Sequence, residues 1–425
     1  MDYQFQAPEP ELMNGKTQRS LAALRSVWPY LVAVFLVLGL GVYHVFIWVT
    51  VPLNLTGDMI RYNAMANHLA YAGYLGFGNK PDAYVTPGYP IVIALFYKGL
   101  STFDDPRLTS IQSIHAFLMF QQILTLLIPI ESFLIGRISR GPRTGLAAAI
   151  LSASYLPNQY VGYTLLTEAV FAPALLLTLL CIMIAHRSQK PVWYAVSGVV
   201  LGYTILVRPI VAVMLPVWLC IQWGARRNWS LTTGQHTRFT RIAFLLGGVM
   251  IVMTPWWIRN AVLFHRFIPF SSEYGNPFLL GADPYFQIGS YRLLALARQS
   301  HQGLLDFAVH HLLHGFTSHF WLYAGWYTVG RIPYFFGQPW LAWAFADSQL
   351  FFLYYHVLCV MGAIAMVLLL FLKPYRTIAL STMAIILAQW IFLPTGRYMY
   401  PVINIWCVLI PIALVEWWGG VRQNK

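Results

Sequence analysis

The sequence predicts an all-α, polytopic integral membrane protein with about ten transmembrane helices and two large outer loops that contain interfacial helices. Of its 425 residues, 58% are hydrophobic and 10% are charged, whereas a soluble domain carries roughly 25% charged residues. Several apolar runs reach the roughly 20 residues that an α-helix needs to span a bilayer. The basic residues cluster in short segments between these runs, which is the topology signal of membrane proteins.

Ten apolar segments divide the chain into one membrane domain and two short tails. We expect a cytoplasmic N-terminal tail over 1–29, a transmembrane domain over 30–418 and a cytoplasmic tail over 419–425. The first apolar run has no small-residue cleavage site, so we expect it to be retained as a helix. The predicted spans are 30–51, 111–136, 144–161, 167–185, 192–207, 209–224, 242–258, 350–372, 377–394 and 400–418.

The distribution of basic residues sets the predicted orientation. With the N-terminus in the cytoplasm, more than half of the 27 basic residues lie on the inner side, as the positive-inside rule requires. The two large outer loops are then 52–110 and 259–349. If the short apolar run 86–100 crossed the membrane, the basic residues of 137–143 would lie outside. We therefore predict that this run forms an interfacial or re-entrant helix.

The net charge of +13 does not indicate a nucleic-acid partner, because the sequence has no long basic block or RNA-binding pattern. The four cysteines all lie within apolar runs and form no CxxC pair. Neither a disulfide framework nor a cysteine metal site is therefore expected. We expect membrane lipids to be partners of the protein, around its apolar helices.

Two acidic and three basic residues fall at the predicted outer face of the membrane. Asp58 follows the first span, Glu168 begins the fourth, and Arg208 lies between the fifth and the sixth. Arg259 follows the seventh span and Arg397 precedes the tenth. Ionisable groups near a bilayer are costly unless they are paired or functional, and the planar guanidinium group suits a phosphate. The set therefore indicates a site for an anionic, lipid-borne substrate.

Each of these residues also has a purely structural interpretation. Asp58 can act as the N-cap of the amphipathic helix that follows it, and Glu168 can cap its own span. Arg208 and Arg259 can be ordinary residues whose long side chains reach the interface. Arg397 has the strongest local case for a specific role, because basic residues are disfavoured at an outer boundary.

A run of histidines in the second outer loop raises the question of a metal site. His310 and His314 share a helical face, which permits metal binding, but the glutamate of an HExxH motif is absent. The sequence favours an amphipathic helix on the membrane surface.

Six short stretches occur in an order that resembles the bacterial membrane glycosyltransferases of the GT-C superfamily. The most similar group is that of the protein O-mannosyltransferases and the lipid A aminoarabinose transferases, and the resemblance covers about residues 30–415. The stretches are GD at Gly57–Asp58, PGYP at Pro87–Pro90, LLTEAVF around Glu168, VRP at Val207–Pro209, PWWIRN at Pro255–Asn260 followed by FIPFSSEYGNPFLLG, and RYMYP at Arg397–Pro401.

The resemblance implies a role for each charged residue of the outer face. It assigns Asp58, at the start of the first outer loop, as the general base. It makes Glu168 a second catalytic acid near the site. Arg397, with Arg208 and Arg259, would bind the phosphate of a lipid-linked substrate.

The resemblance also implies the reaction and its partners. A sugar would move from a polyprenyl-phosphate donor to a glycan, lipid or protein acceptor at the outer face of the bacterial inner membrane, with inversion at the anomeric carbon. Arg61, Tyr62 and Tyr89 would bind substrate in the first outer loop. No cofactor is certain, although some branches of the superfamily bind a divalent metal.

The sequence departs from the superfamily pattern at two places. Asp58 is followed by Met59, where the eukaryotic mannosyltransferases have an Asp-Glu pair, and no WWDYG-like motif of oligosaccharyltransferases is present. The sugar and the acceptor are therefore not indicated. The alternative function is a transporter or flippase of lipid-linked saccharides, which would predict inverted repeats and broken helices with buried charge.

Overall fold

The computed structural model describes residues 15–50, 55–103, 110–224, 234–272, 275–345 and 348–423, and all statements below refer to these. They form helices and connecting turns, with no β-strand among them, which confirms the predicted all-α class. The α-helices are α1 (Gly15–Thr50), α2 (Asp58–Asn67), α3 (Gly88–Phe103), α4 (Ser110–Thr125), α5 (Leu127–Arg140), α6 (Pro142–Ser154), α7 (Pro157–Tyr160), α8 (Glu168–Ser188), α9 (Pro191–Val207), α10 (Met214–Gly224), α11 (Gly234–Phe264), α12 (Gly275–Gly281), α13 (Ser290–Gln299), α14 (Leu304–Ser318), α15 (Phe320–Gly325), α16 (Ile332–Phe336), α17 (Gln349–Leu370), α18 (Arg376–Gln389) and α19 (Gly396–Gln423).

Within the described ranges, six helices are long and apolar enough to cross a membrane. Four shorter apolar helices accompany them, at Gly88–Leu100, Pro191–Val207, Pro209–Gly224 and Arg376–Gln389. The predicted count of about ten crossings therefore stays a prediction. The six long spans are Val27–Thr50, Ile111–Arg140, Glu168–Ser188, Arg238–Phe264, Gln349–Leu370 and Gly396–Gly419.

Prolines break two of the predicted spans. The segment predicted over 144–161 ends its helix at Ser154 and continues as the short α7 from Pro157. The segment predicted over 111–136 changes from α4 to α5 at Leu126, three residues before Pro129. A proline has no N–H to donate and its ring clashes with the carbonyl group four residues earlier, so a regular helix is interrupted there.

Helices α8 and α19 form the centre of the bundle. In each, 83% of the most apolar 18-residue stretch is buried, against 11% in α1. Glycines allow the tightest helix contact, between α9 and α11. A Cβ atom at Gly198 would lie 2.1 Å from the carbonyl oxygen of Leu245, and one at Gly248 would lie 2.3 Å from that of Ala195. Small residues at such contacts let the two backbones approach closely.

The first outer loop folds onto the bundle through α2 and α3. After α2 the chain makes one π-helical turn and ends it at Gly73 with a positive φ of 74°. The Asp82 carboxylate then orders the connection by accepting hydrogen bonds from the backbone N–H groups of Phe77 (2.7 Å) and Tyr84 (3.1 Å). Helix α3 occupies the segment predicted to be interfacial or re-entrant, and its membrane position stays a prediction.

The second outer loop contains the histidines, four of them on or next to α14. His310 and His314 are exposed on this helix, and burial lowers the pKa of His311. In the part of the chain that the structure describes, no group of three or more His, Cys, Asp or Glu side chains is placed to hold a metal ion. Among the described residues, His310 and His314 therefore gain no third ligand of these types.

A buried arginine joins the second outer loop to the end of α18. Arg331 is fully buried and donates hydrogen bonds to the backbone carbonyl groups of Gly281, Trp390 and Phe392, the last at 2.7 Å. Its guanidinium carbon lies 3.8 Å from the ring centroid of Tyr327. Burial lowers the pKa of Arg331 to about 10, so the group remains charged at neutral pH.

Helix α18 is shorter than predicted. The span predicted over 377–394 ends its helix at Gln389. Pro394 has no N–H to pair with the Trp390 carbonyl group, and the carbonyl groups of Trp390 and Phe392 bond to Arg331.

Replacing Arg331 with methionine is expected to lower the free energy of unfolding by about 3 kcal/mol. The carbonyl groups of Trp390 and Phe392 lose their Arg331 donor, whereas that of Gly281 keeps a hydrogen bond from Trp326 Nε1. Each unsatisfied buried group costs roughly 1–3 kcal/mol. The midpoint of thermal unfolding in detergent should fall by several degrees. The matched control is Arg292→Met at an exposed position of α13, which should change stability by less than about 0.5 kcal/mol. Equal midpoints for the two variants would contradict the prediction.

Candidate functional site

A cavity of about 580 Å³ opens where the ends of α9 and α18 meet the start of α19 and the first outer loop. One pole is charged and polar, with the side chains of Asp58, Tyr62, Arg208 and Arg397. Most of the remaining wall is apolar. The apolar side chains include Val85, Val207, Pro209, Ile210, Ala212, Val213, Phe270, Pro277, Ala388, Ile391 and Phe392.

Local backbone geometry places each charged residue at the end of a helix. Pro209 disfavours helical geometry for the residue before it, so Arg208 is extended (φ −147°, ψ 113°) and ends α9. Glu168 is the first residue of α8, where the helix dipole favours an acid. Arg397 follows Gly396, at which a Cβ atom would lie 2.6 Å from the carbonyl oxygen of Gln338. Only glycine fits there without displacing that backbone.

The four charged groups form one connected ion-pair network. Arg397 holds Glu168 with two hydrogen bonds, from Nε to Oε1 and from Nη2 to Oε2 (3.2 Å). The Nη2 of Arg208 lies 2.9 Å from Oε1 of the same carboxylate. The Nη1 of Arg397 donates to Oδ2 of Asp58 at 3.0 Å. Arg397 therefore bridges the two acids, in the fork geometry that carboxylates and phosphates favour.

The two acids differ sharply in exposure. The Glu168 side chain has no exposed surface, whereas that of Asp58 is 43% exposed. Glu168 does not line the cavity, and Asp58 does. Glu168 therefore lies behind the two arginines, and Asp58 is the acid that a ligand in the cavity can reach.

The predicted capping role of Asp58 is wrong. The N-cap of α2 is Gly57, with a φ of 52°, and no side chain makes a cap hydrogen bond there. Asp58 is the first residue inside the helix, and its carboxylate bonds to Arg397 instead. Gly57 takes the cap position because the chain enters α2 with a positive φ, which L side chains rarely adopt.

The two tyrosines predicted in the first outer loop lie in different places. Tyr62 lines the cavity, and burial raises the pKa of Tyr62, although the nearby Arg397 acts in the opposite direction. The phenol is therefore neutral at pH 7 and can donate a hydrogen bond. Tyr89 is fully buried behind it, with the ring centroids 5.1 Å apart, and donates to Oε1 of Gln121 at 2.7 Å. Tyr89 thus supports Tyr62 and does not line the cavity.

Arg61 lies beside the charged pole. Its Nη1 is 3.8 Å from Oδ1 of Asp58 and donates to the hydroxyl group of Tyr84 at 3.2 Å. With Arg61 included, three guanidinium groups face two carboxylates, so the site has one excess positive charge. An anionic ligand would neutralise it.

Arg259 is separate from the cavity. Its Nη2 donates to the backbone carbonyl groups of Leu75 (2.9 Å) and Asp82 (3.0 Å). Its guanidinium carbon lies 4.9 Å from the ring centroid of Trp256. Arg259 thus holds the first outer loop against α11.

The acids of this site do not suit a divalent metal. Both oxygens of Glu168 accept hydrogen bonds from arginine, and Asp58 also faces guanidinium groups. The positive charges already present would repel a cation, and Asp58 alone offers too few ligands. No step of a reaction through a metal follows from these residues.

Several cavity residues escaped the sequence prediction. Thr86, Ser271, Gln389 and Tyr398 supply polar groups to the wall. Gln389 carries a visible signal, because it is a polar residue directly after the apolar run 383–388. Thr86 directly precedes the PGYP stretch that the prediction used, whereas Ser271 and Tyr398 have no distinctive local pattern.

Part of the chain is similar to a known protein family. Residues 107–258 match the family model described as dolichyl-phosphate-mannose-protein mannosyltransferase. No curated protein matches the chain.

Solved structures match almost the whole chain. An Archaeoglobus fulgidus oligosaccharyltransferase tethered to an acceptor peptide aligns with a TM-score of 0.57 and 12% identity, over 95% of this chain and 51% of that one. Oligosaccharyltransferase AglB from the same organism, in complex with an inhibitory peptide and a dolichol-phosphate, aligns with a TM-score of 0.54 and 12% identity. The alignment covers 94% of this chain and 51% of that one. ArnT from Cupriavidus metallidurans, bound to undecaprenyl phosphate, aligns with a TM-score of 0.53 and 14% identity. The alignment covers 93% of this chain and 62% of that one.

The chain thus spans about half the length of the oligosaccharyltransferases and 62% of ArnT. Sequence identities of 12–14% show a shared fold. The matched proteins are GT-C glycosyltransferases. The resemblance of this chain to the GT-C glycosyltransferases, predicted from its sequence, is therefore confirmed, and the chain has their fold.

Proposed function

We propose that this protein is a glycosyltransferase that moves a sugar from a polyprenyl-phosphate donor to a hydroxyl group of an acceptor. The reaction would take place at the outer face of the bacterial inner membrane. The single observation that carries the proposal is the cavity, in which an arginine-rich pole adjoins a largely apolar wall within a GT-C fold. Such a cavity suits a ligand with a phosphate group and a hydrocarbon chain.

The donor phosphate would bind Arg208 and Arg397. Both guanidinium groups line the cavity, and a planar guanidinium can give two parallel hydrogen bonds to a phosphate. The first isoprene units would lie along the apolar wall, near Ile210, Val213 and Phe392. The bilayer would hold the rest of the tail, so the reactive carbon is brought to the site in a fixed orientation.

Asp58 would act as the general base. It would accept the proton of the acceptor hydroxyl group while that oxygen forms a bond to the anomeric carbon from the face opposite the phosphate. The bond from the anomeric carbon to the phosphate oxygen would break, with inversion, and its electrons would leave with the polyprenyl phosphate. This leaving group needs little acid assistance, and the arginines would stabilise its charge.

The ion pair between Asp58 and Arg397 would require the donor to bind before Asp58 acts as the base. The Asp58 carboxylate accepts a hydrogen bond from Arg397. A phosphate that binds Arg397 would compete for the same guanidinium group and weaken that bond. The Asp58 carboxylate would then be available to the acceptor hydroxyl group once the donor has bound.

Glu168 would be a positioning residue. It is fully buried and bonds to both arginines from behind the cavity. It would compensate their charge in a region of low dielectric constant and fix the directions of their remaining N–H groups. A direct catalytic role would require access to the substrate, which its burial opposes.

Asp58→Asn should abolish transfer while the protein still folds. Purified protein in nanodiscs, supplied with a panel of undecaprenyl-phosphate sugars and hydroxyl acceptors, is expected to release undecaprenyl phosphate. In the variant the rate should fall by at least about 100-fold, because loss of a general base costs 10²–10⁴ in rate. The matched control, Asp306→Asn on α14, lies outside the cavity and should retain full activity.

Two outcomes would contradict this proposal. Near-normal transfer by Asp58→Asn would exclude Asp58 as the base. If the wild-type protein moved glycolipid between leaflets and left every glycosidic bond intact, it would be a transporter or flippase instead.

Glu168→Gln should reduce stability and donor affinity together. Removing the buried carboxylate takes the acidic partner from Arg208 and leaves Arg397 with Asp58 alone, a change that costs about 3 kcal/mol or more. Replacing Arg208 by methionine in the same protein should restore part of that loss, since one uncompensated charge is removed, and a double-mutant cycle measures the coupling. Strictly additive effects, or a lower kcat with normal stability and normal donor affinity, would argue for direct catalysis by Glu168.

Arg208→Lys should weaken the binding of undecaprenyl phosphate by about tenfold. Lysine keeps the charge but loses the fork of N–H donors, and one charge-assisted hydrogen bond is worth roughly 1.5–3 kcal/mol. The same change at Arg259 should leave affinity within about twofold and lower the thermal midpoint, because Arg259 holds the first outer loop. Lipid titration and thermal unfolding of both variants test this contrast. A larger affinity loss in Arg259→Lys would reverse the assignment.

A further inference from the structure

Two polar side chains in the cavity wall have no partner. Thr86 is 5% exposed and Gln389 is 7% exposed, and both line the cavity. Among the residues that the structure describes, neither side chain forms a hydrogen bond or an ion pair. Neither was assigned a role by the ion-pair network or by the sequence.

Two other buried side chains of the same types, Thr178 and Gln121, have hydrogen-bond partners within the protein. The Thr178 hydroxyl group donates to the carbonyl oxygen of Ala174 at 2.7 Å. The Gln121 amide donates to Thr164 O at 2.7 Å and accepts from Tyr89 at 2.7 Å. Buried polar groups in native proteins are nearly always hydrogen-bonded, and an unsatisfied one is costly. The polar atoms of Thr86 and Gln389 are not sealed inside the protein, because neither is among the described residues with buried, unpartnered polar atoms; they are open to the cavity, where a ligand can supply their hydrogen-bond partners.

Both side chains are attached to elements that contact the segment carrying Arg208. Thr86 lies two residues before Gly88, where a Cβ atom would be 2.6 Å from the backbone of Leu206. Gln389 lies in the last turn of α18, which packs against the 3-10 turn Pro209–Val213. The two groups thus lie near the proposed phosphate site, one on the first outer loop and one on α18.

The chemistry of these groups limits the ligand. An amide and a hydroxyl group are both neutral, and each can donate and accept hydrogen bonds. An isoprenoid tail offers no partner for them, and a phosphate takes only donors, which the arginines already provide. A ring with several neutral hydroxyl groups satisfies both.

We propose that Gln389 and Thr86 bind the hydroxyl groups of a sugar ring and determine which sugar the site accepts. The proposal rests on the proposed glycosyl transfer and names a sugar subsite beside the phosphate. The ring belongs either to the donor or to a glycan acceptor, and both offer the same hydroxyl chemistry. A site that hydrogen-bonds a hydroxyl group discriminates strongly against an analogue that lacks it.

The experiment compares binding of glycosylated and bare lipid by the full chain in nanodiscs. The donor arm titrates undecaprenyl phosphate and a panel of undecaprenyl-phosphate hexoses, pentoses and their deoxy analogues. The acceptor arm titrates methyl glycosides into protein already saturated with undecaprenyl phosphate. The variants are Gln389→Met and Thr86→Val, which keep the side-chain volume approximately and remove the hydrogen-bonding groups.

Each variant should lose about tenfold in affinity for the preferred glycosyl lipid, or for the preferred glycoside, and bind bare undecaprenyl phosphate as wild type does. The deoxy analogue that wild type rejects should be rejected less. The thermal midpoint of the ligand-free variants should stay equal or rise, because an unpartnered polar group has been replaced by an apolar one. A structural role would lower the midpoint instead.

Thr382→Val is the matched control. Thr382 is fully buried, donates to the carbonyl oxygen of Ile378 at 2.8 Å and does not line the cavity, so its loss should not change sugar preference. If Gln389→Met and Thr86→Val retain the wild-type preference in both arms, the sugar subsite is overturned. If the wild-type protein binds neither bare nor glycosylated lipid, the proposed function itself fails, and the subsite fails with it.

Discussion

The buried carboxylate of Glu168 is the interaction on which the site depends. It holds Arg397 by two hydrogen bonds and Arg208 by a third contact, in a position that solvent does not reach. Without it, the guanidinium groups of Arg208 and Arg397 would repel each other, with only Asp58 to offset their charge. The pairing also joins the start of α8, the end of α9 and the start of α19, so one electrostatic contact fixes three helix ends around the cavity.

The surrounding structure supports that contact by bringing distant segments together. Gly88 lets α3 lie against the end of α9, and Gly396 lets α19 begin against Gln338. Arg331 ties the second outer loop to the chain after α18. Each contact uses backbone carbonyl groups or close backbone approach, so the cavity wall is rigid where the charged groups are presented.

Much of the fold was predictable because apolar runs and charge placement are local signals. The helices from α8 to α19 that fill the predicted spans, and the position of Glu168 at a helix start, follow from them. The prediction that Asp58 caps α2 was wrong, because Gly57 occupies the N-cap with a positive φ that the local sequence pattern does not predict. The role of Arg331 was not predictable, since its three carbonyl partners lie 50 to 61 residues away. Arg259 and Tyr89 were expected to bind substrate. Arg259 instead holds the first outer loop against α11, and Tyr89 packs behind Tyr62.

The Arg331 contact also limits how the outer region can be exchanged between related proteins. The second outer loop contributes Arg331 and Gly281, whereas the connection between α18 and α19 contributes the carbonyl groups of Trp390 and Phe392. A chimaera that transplants the loop alone separates the buried Arg331 cation from two of its three acceptors. Recombination, in the laboratory or in evolution, would therefore conserve these two segments as one module.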